Sequence, residues 1–406
     1  AITFPLMNLS TALGTLVGVG ASTIVSVYLG QKNYEAANKV LANEVTLNVI
    51  LGSIFAAVVL GFLSPVLTFF GASENTLPFA KSYMEVILIG NVITHLYFGL
   101  NSMIRAAGNP RLAMGLTLFT VIFNSILDPI MIFGLGMGIQ GAAIATVISQ
   151  FLALTYAWRH FLDKRNYMHF PKGIFSLDLR IAKSSLAIGL GPFLMNSASC
   201  IVTMFINQQL MKYGGDLHIG AYGIVNRISF LFIMIGMGFN QGMQPIAGYN
   251  YGARLYSRVK EVYKKTLNMA TVVVTTACVI FLVAPRMCVG IFTHDPQLIE
   301  IASRGLRIMN CTLFMIGYHM ITTNFFQCLG MVRTSIFLSL SRQLLFLVPC
   351  IYILPMFVGV HGVWLSFPIS DSITIIISAI MLFNLFANLK KLNDGDDASF
   401  LGSKIN

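Results

Sequence analysis

Three carboxylates, Glu85, Asp128 and Asp371, lie inside long apolar runs of this 406-residue chain. A charge at bilayer depth costs about 2.5–3.5 kcal/mol even on the lenient insertion scale, so each needs a partner or a task. Asp128 has the most suggestive neighbours. Asn124 lies one helical turn earlier on the same face, and Pro129, lacking an N–H, leaves the Ser125 carbonyl without its helical partner. A carboxylate, an amide oxygen and a free carbonyl can together replace the water around Na⁺, or hold a carboxyl that takes up H⁺. Thr146 on the next apolar run can add a hydroxyl. The competing reading of Asp128 is a helix-end carboxylate bonded to backbone near the outer surface. Asp371, in Phe367-Pro-Ile-Ser-Asp371, falls near the middle of the last run. It is a candidate proton site or an electrostatic lure for a cationic substrate, and a structural pairing with Arg342 or Arg227 stands beside that reading. Glu85, four residues after Lys81, reads as half of an interfacial ion pair. His95 and His319 read as hydrogen-bonded packing residues.

The elements that must position these groups are apolar helices. Hydrophobic residues make up 56% of the chain and charged residues 10%, and mean hydropathy is +0.77, which excludes a soluble fold. The expected class is an all-α polytopic membrane protein. Runs long enough to span lie near 2–29, 42–64, 77–105, 111–134 and 139–161, then near 184–212, 218–248, 266–286, 298–328, 334–355 and 360–388. The two groups are one pattern written twice: Gly14, Gly20, Gly30 and Tyr34 recur as Gly236, Gly242, Gly252 and Tyr256, and Gly108 and Arg111 recur as Gly330 and Arg333. Duplicated bundles of this kind are typical of transporters that alternate access between the two sides of a membrane. Five spans against six imply that the partner of 184–212 precedes Ala1, so eleven spans are expected here out of six plus six. The expected division is an N-terminal lobe over 1–161, an inter-lobe linker over 162–183, a C-terminal lobe over 184–388 and a tail over 389–406.

The net charge of +11 is a topology signal and does not indicate a nucleic-acid partner. Lys32, Lys39, Arg159, Lys164, Arg165, Lys172, Arg254, Lys264 and Lys265 crowd one set of alternate loops, while the other set shows Lys81, Lys212 and Arg286. Basic loops stay cytoplasmic, which puts the linker and the C-terminus inside. Loops 30–40 and 252–265 are both basic, so the repeats are parallel. Within the linker, the amphipathic stretch Ile174–Arg180 suggests an interfacial helix. The six cysteines lack metal-site spacing and read as packing residues.

Four ordered motifs carry a resemblance: Arg105-Ala-Ala-Gly-Asn-Pro-Arg111, Asn124-Ser-Ile-Leu-Asp-Pro-Ile130, Gly138-Ile-Gln-Gly-Ala-Ala-Ile-Ala-Thr146 and Gln241-Gly-Met-Gln-Pro-Ile-Ala-Gly-Tyr-Asn-Tyr-Gly-Ala253. Across essentially its whole length the chain resembles the multidrug and toxic compound extrusion family. The resemblance implies twelve helices in two lobes and export of cationic drugs against an inward flow of Na⁺ or H⁺. Residues matching Asn124, Asp128 and Thr146 bind the coupling ion in some members of that family, with Na⁺ at Asp128 and Asn124 one form of it. The first helix, absent here, adds an acidic residue to that site in relatives.

The expected activity is therefore secondary active antiport, with the lipid bilayer and cationic drugs as partners, no cofactor, and a monomeric, multi-pass protein of a bacterial cytoplasmic (inner) membrane. The nearest rival is a lipid-linked oligosaccharide flippase of the same superfamily, which requires several cavity cations to hold pyrophosphate. Only Arg227, Arg304, Arg307 and Arg342 lie within spans to supply them. A membrane enzyme is disfavoured by the lack of an HExxH or paired-carboxylate set, and direct ATP drive by the lack of a GxxxxGK[ST] loop.

Overall fold

Lipid offers no partner to a backbone N–H or C=O, so a chain this apolar can cross a membrane only as helices that satisfy themselves. The computed structural model, which describes residues 3–70, 72–390 and 394–396, is helical throughout. The first elements are α1 (Phe4–Gly30), α2 (Tyr34–Gly61), α3 (Leu63–Phe69), α4 (Leu77–Ile89), α5 (Asn91–Ala106), α6 (Pro110–Pro129), α7 (Gly138–Leu162) and α8 (Leu179–Gly214). There follow α9 (Asp216–Gly252), α10 (Tyr256–Val283), α11 (Pro285–Gly290), α12 (Pro296–Asn310), α13 (Leu313–Cys328), α14 (Val332–Leu340), α15 (Val348–Val358) and α16 (Val360–Lys390). π-helical segments occupy Ile130–Gly134 and Ser341–Leu347. Two compact units result, one running to Phe193 and one from Leu194, and the boundary falls inside α8.

In the first unit, α1 packs on α2 and α5, and α5 on α7. Gly20 of α1 and Gly189 of α8 permit a backbone contact: a Cβ on Gly20 would overlap the Ser185 carbonyl oxygen, and one on Gly189 the Leu16 carbonyl oxygen. In the second unit, Tyr222, Phe367 and Trp364 pack in one core, and the hydroxyl of Tyr263 lies 2.8 Å from that of Thr322. The duplication survives in backbone detail. α2 and α10 are each 28 residues long. The turns before them use left-handed Lys32 (φ 58°) and Arg254 (φ 59°), 222 positions apart. Ser10 Oγ donates to Asn91 at 2.5 Å, and three residues out of that register Ser229 Oγ donates to Asn310 at 3.0 Å.

Eleven spans were expected, but among the described residues nine helices are long and apolar enough to cross, or ten if one bent pair counts as a span. That pair is α4 and α5, which meet at 52° around Gly90. The run expected over 298–328 is divided at Cys311 and Thr312 into α12 and α13, and α12 carries Glu300, Arg304 and Arg307, charges that take it out of the apolar class. The division falls 222 positions after Gly90, so it repeats a feature of the first unit. The expected interfacial helix is also not formed. Residues 174–178 are non-helical and follow left-handed Gly173 (φ 91°), and the segment is tied to α2 by His169 N to Asn38 Oδ1 (3.0 Å), Asp178 N to Asn43 Oδ1 (2.8 Å) and Thr46 Oγ1 to the Ile174 carbonyl (3.3 Å). Most of the expected tail lies outside the described residues; within it, Asp394 Oδ1 accepts from Ser257 N at 3.0 Å.

The glycine contact gives an asymmetric expectation. Gly20→Ala should lower stability by about 1–3 kcal/mol, because its methyl meets fixed backbone. Gly242→Ala, at the repeat-related position with nothing within 4 Å of an added Cβ, should be neutral or stabilise by up to about 1 kcal/mol through helix propensity. Thermal unfolding of both variants in detergent checks this, and equal shifts in Tm would contradict the packing.

Candidate functional site

α6 begins at Pro110, whose missing N–H costs nothing in a first turn, and ends at Pro129, where the ladder gives way to the π-helical segment Ile130–Gly134. One turn before that break, Asn124 and Asp128 share a face that meets Thr146 of α7. Asn124 Nδ2 donates to Asp128 Oδ1 at 3.1 Å and to Thr146 Oγ1 at 3.3 Å. All three side chains are half-buried. The Thr146 hydroxyl in turn donates to the Ala142 carbonyl at 3.0 Å, so its lone pairs stay available on the side of Asn124. As drawn, the cluster is closed by the amide N–H groups. A cation between Asp128 and Thr146 requires Asn124 to present its oxygen instead, a rotation about one side-chain bond. Helical spacing thus puts Asn124 and Asp128 on one face, and the packing of α6 on α7 brings Thr146 to them.

Asp371 belongs to the second unit and has a different environment. It is 3% exposed on α16, and Arg342 Nε donates to its Oδ1 at 2.7 Å. Thr312, at the division between α12 and α13, donates to Oδ2 at 3.3 Å. Arg342 lies in the π-helical segment Ser341–Leu347, and its carbonyl accepts from Ser370 Oγ at 3.0 Å. The pairing with Arg342 is therefore formed, and the Asp371 charge is already answered. Glu85 is half-buried, and among the described residues it makes no ion pair with Lys81. The other cations within spans are largely committed: Arg304 to Glu300 at 3.3 Å, and Arg307 to the Leu282 carbonyl at 3.1 Å.

One carboxylate escaped the sequence reading. Glu44 stands ten residues into α2 and is 1% exposed, held by Asn48 Nδ2. Glu44 and Asn48 sit four apart within the apolar run near 42–64, but the depth of that position is set by packing on another helix.

With this geometry in hand, comparison with known proteins is informative. The MatE family model matches residues 1–130 and 187–353. Multidrug export protein MepA of Staphylococcus haemolyticus (strain JCSC1435) is 27% identical over 385 residues, covering 95% of this chain and 84% of its own. A crystal structure of a MATE protein in the bent conformation superposes with a TM-score of 0.91 at 25% identity, covering 96% of this chain and 87% of that one. The MATE multidrug transporter DinF-BH, in a ligand complex, gives a TM-score of 0.86 at 33% identity, covering 97% and 88%.

The Asp371 pair gives a clear energetic expectation. Removing one partner of a buried ion pair strands the other, so Asp371→Asn and Arg342→Gln should each cost about 3–5 kcal/mol. The double variant should cost less than the two together. Denaturant unfolding of the three variants measures the coupling, and strict additivity would mean that the pair contributes no mutual energy.

Proposed function

The chain belongs to the MatE family, and from that premise we propose that Asn124, Asp128 and Thr146 bind the coupling ion of its transport cycle. The protein is a secondary-active multidrug exporter, not an enzyme, and family membership implies ion-coupled transport of cationic compounds through a lipid bilayer. The observation that carries the site is the convergence of one carboxylate, one amide and one hydroxyl from two helices, beside a proline that frees a backbone carbonyl. Either Na⁺ or H⁺ suits it: Na⁺ by replacing its water with these oxygens, H⁺ by neutralising Asp128. A ligand shifts a conformational equilibrium only by its differential affinity. Ion binding at Asp128 therefore favours one state of the transporter and drug binding the other, and the exchange moves the two in opposite directions.

Asp371 is assigned the second role, attracting a cationic drug or taking up a proton. Because Arg342 neutralises it in this conformation, that role requires the pair to open, so drug affinity and the pair are coupled. We further read 1–161 and 184–388 as the parallel lobes, joined by a cytoplasmic linker over 162–183, in a monomeric protein of the bacterial inner membrane whose tail, 389–406, is cytoplasmic. The basic loops support this orientation.

Two experiments test the reading. In proteoliposomes with imposed Na⁺ and pH gradients, Asp128→Asn should abolish gradient-driven drug movement while equilibrium drug binding survives, since the side-chain shape remains and the charge is lost. Normal gradient-driven transport by this variant would place coupling elsewhere. For topology, single cysteines at Asn33, Asn166 and Ser257, in a background whose native cysteines are replaced, should all be shielded from an impermeant thiol reagent in intact cells. Labelling at Asn33 but not at Ser257 would refute the parallel orientation.

A further inference from the structure

The helix interface formed by α2 and α5 recurs in the second unit as α10 and α13, and the two copies are filled in opposite ways. In the first unit His95 packs against Gly52, where an added Cβ would lie 3.2 Å from His95 Nδ1. Moved on by 222 positions these residues become Gly317 and Val274, and a Cβ on Gly317 would lie 3.3 Å from Val274 Cγ2. The contact is the same, with the large and small partners exchanged. One turn along, Glu44 and Asn48 press on Gly99, so closely that a Cβ there would overlap Glu44 Oε1. Their counterparts are Thr266, Ala270 and Ile321, the last fully buried. An apolar side chain thus fills in the second unit the place that a carboxylate fills in the first. Since the fold closes without it, Glu44 is not a packing requirement.

Its environment is rich in acceptors and poor in donors. Glu44 is 1% exposed and Asn48 fully buried; Asn48 Nδ2 donates to Glu44 Oε1, while Glu44 Oε2, Asn48 Oδ1 and His95 Nδ1 have no partner among the described residues. His95 Nε2 lies 3.3 Å from Ser10 Oγ. Among the described residues, the elements packed around α2 place no counter-cation on Glu44; α8, which packs on Leu47 and Leu51, carries Arg180 and Lys183, and both are exposed. α1 contributes only Tyr28, and Arg105 of α5 is committed to Asn101 Oδ1 and Ser102 Oγ, both at 3.0 Å. Besides Arg105, α5 carries His95 and Tyr97, and α4 carries Lys81, Tyr83 and Glu85. His169 and Asp178 of the following segment meet α2 through their backbone N–H groups, at Asn38 and Asn43. On α2 itself, Lys39 pairs with Glu35 at 2.8 Å. A metal ion would need several converging oxygens and room for itself, but the Gly99 backbone already lies against the carboxylate. A proton needs no room, and it supplies the missing donor.

We propose that Glu44, held by Asn48 against Gly99, is a proton-binding site of the first unit, separate from Asn124, Asp128 and Thr146, and that it loads and releases its proton during the transport cycle. The bond made is O–H on Glu44 Oε2 and the proton comes from water; nothing is oxidised or reduced. The second half of this statement rests on the antiport reading above, whereas the first does not.

Of the six glutamates in the chain, Glu44 alone is buried, so glutamate-specific carbon-13 labelling isolates it. Infrared spectra of the labelled full chain should show, at neutral pH, an isotope-shifted stretch of a protonated carboxylic acid. That band should be lost in Glu44→Gln and retained in Asp128→Asn. No labelled band in the native chain, or its persistence in Glu44→Gln, would overturn the site. If Glu44→Gln cannot be recovered folded, Glu44→Asp decides, since an aspartate carries no label and the band should be lost there too. In proteoliposomes, Glu44→Gln should lose the dependence of efflux of a cationic rhodamine dye on an imposed pH gradient, and Glu44→Asp should recover part of it. An unchanged pH response in Glu44→Gln would overturn the coupling role while leaving the bound proton. Native proteoliposomes that move none of the dye under any gradient would refute antiport and leave the infrared result standing.

Discussion

Lipid cannot hydrogen-bond, and every polar atom placed at bilayer depth must be answered from within the protein. The backbone meets this demand by forming helices. The small hydroxyls meet it locally: Ser26 donates to the Ser22 carbonyl, Thr46 to Ala42 and Ser149 to Ala145, each one turn back along its own helix. Some amides do the same, as Asn250 does to the Ile246 carbonyl, whereas other amides and the charged side chains find one another. Where they do, the partners reach across helices, as Asn124 does to Thr146 and Arg342 to Asp371. Many such crossings join neutral groups, as Thr94 with Gln150 and Ser229 with Asn310, so a carboxylate that takes part in one stands out.

The same demand explains why the irregular backbone lies where it does. A π turn or a break between helices frees carbonyls that something polar must cover. The first π-helical segment follows Pro129, next to Asp128; the second holds Arg342, whose carbonyl takes the Ser370 hydroxyl. The division between α12 and α13 presents Thr312 to Asp371. At these places a departure from the α-helix lies beside a candidate functional group, whereas Glu44 stands within the regular helix α2.

Much of this was legible in the sequence, and the legible parts share a cause. Apolar length marks spans, and an i, i+4 pair such as Asn124 and Asp128 shares a face by helical geometry alone, so both could be read without knowing which helices touch. The pairing of Asp371 with Arg342 could be offered only as one of two partners, because it spans 29 residues and depends on packing. Glu44 was missed for a related reason: its depth is set by Gly99 on another helix, and no local pattern reports that. The span count fell short of eleven because a window of hydropathy does not register a bend at Gly90 or a division before Leu313. Over 174–180, amphipathic periodicity suggested an interfacial helix, but hydrogen bonds to α2 hold 174–178 out of helical form and only Leu179 and Arg180 are helical, as the start of α8.

The exchanged volumes at Gly52 and His95, and at Val274 and Gly317, also say something about ancestry. If the two units descend from one duplicated segment, the contact cannot have drifted from one filling to the other by a single acceptable substitution. Adding the large residue first creates overlap with its neighbour, and removing the large one first leaves a void. Either order passes through a less stable ancestor, so each filling is locked once it is established. Such paired positions diverge in rare, correlated steps, and they preserve a record of the duplication longer than positions that are free to change alone.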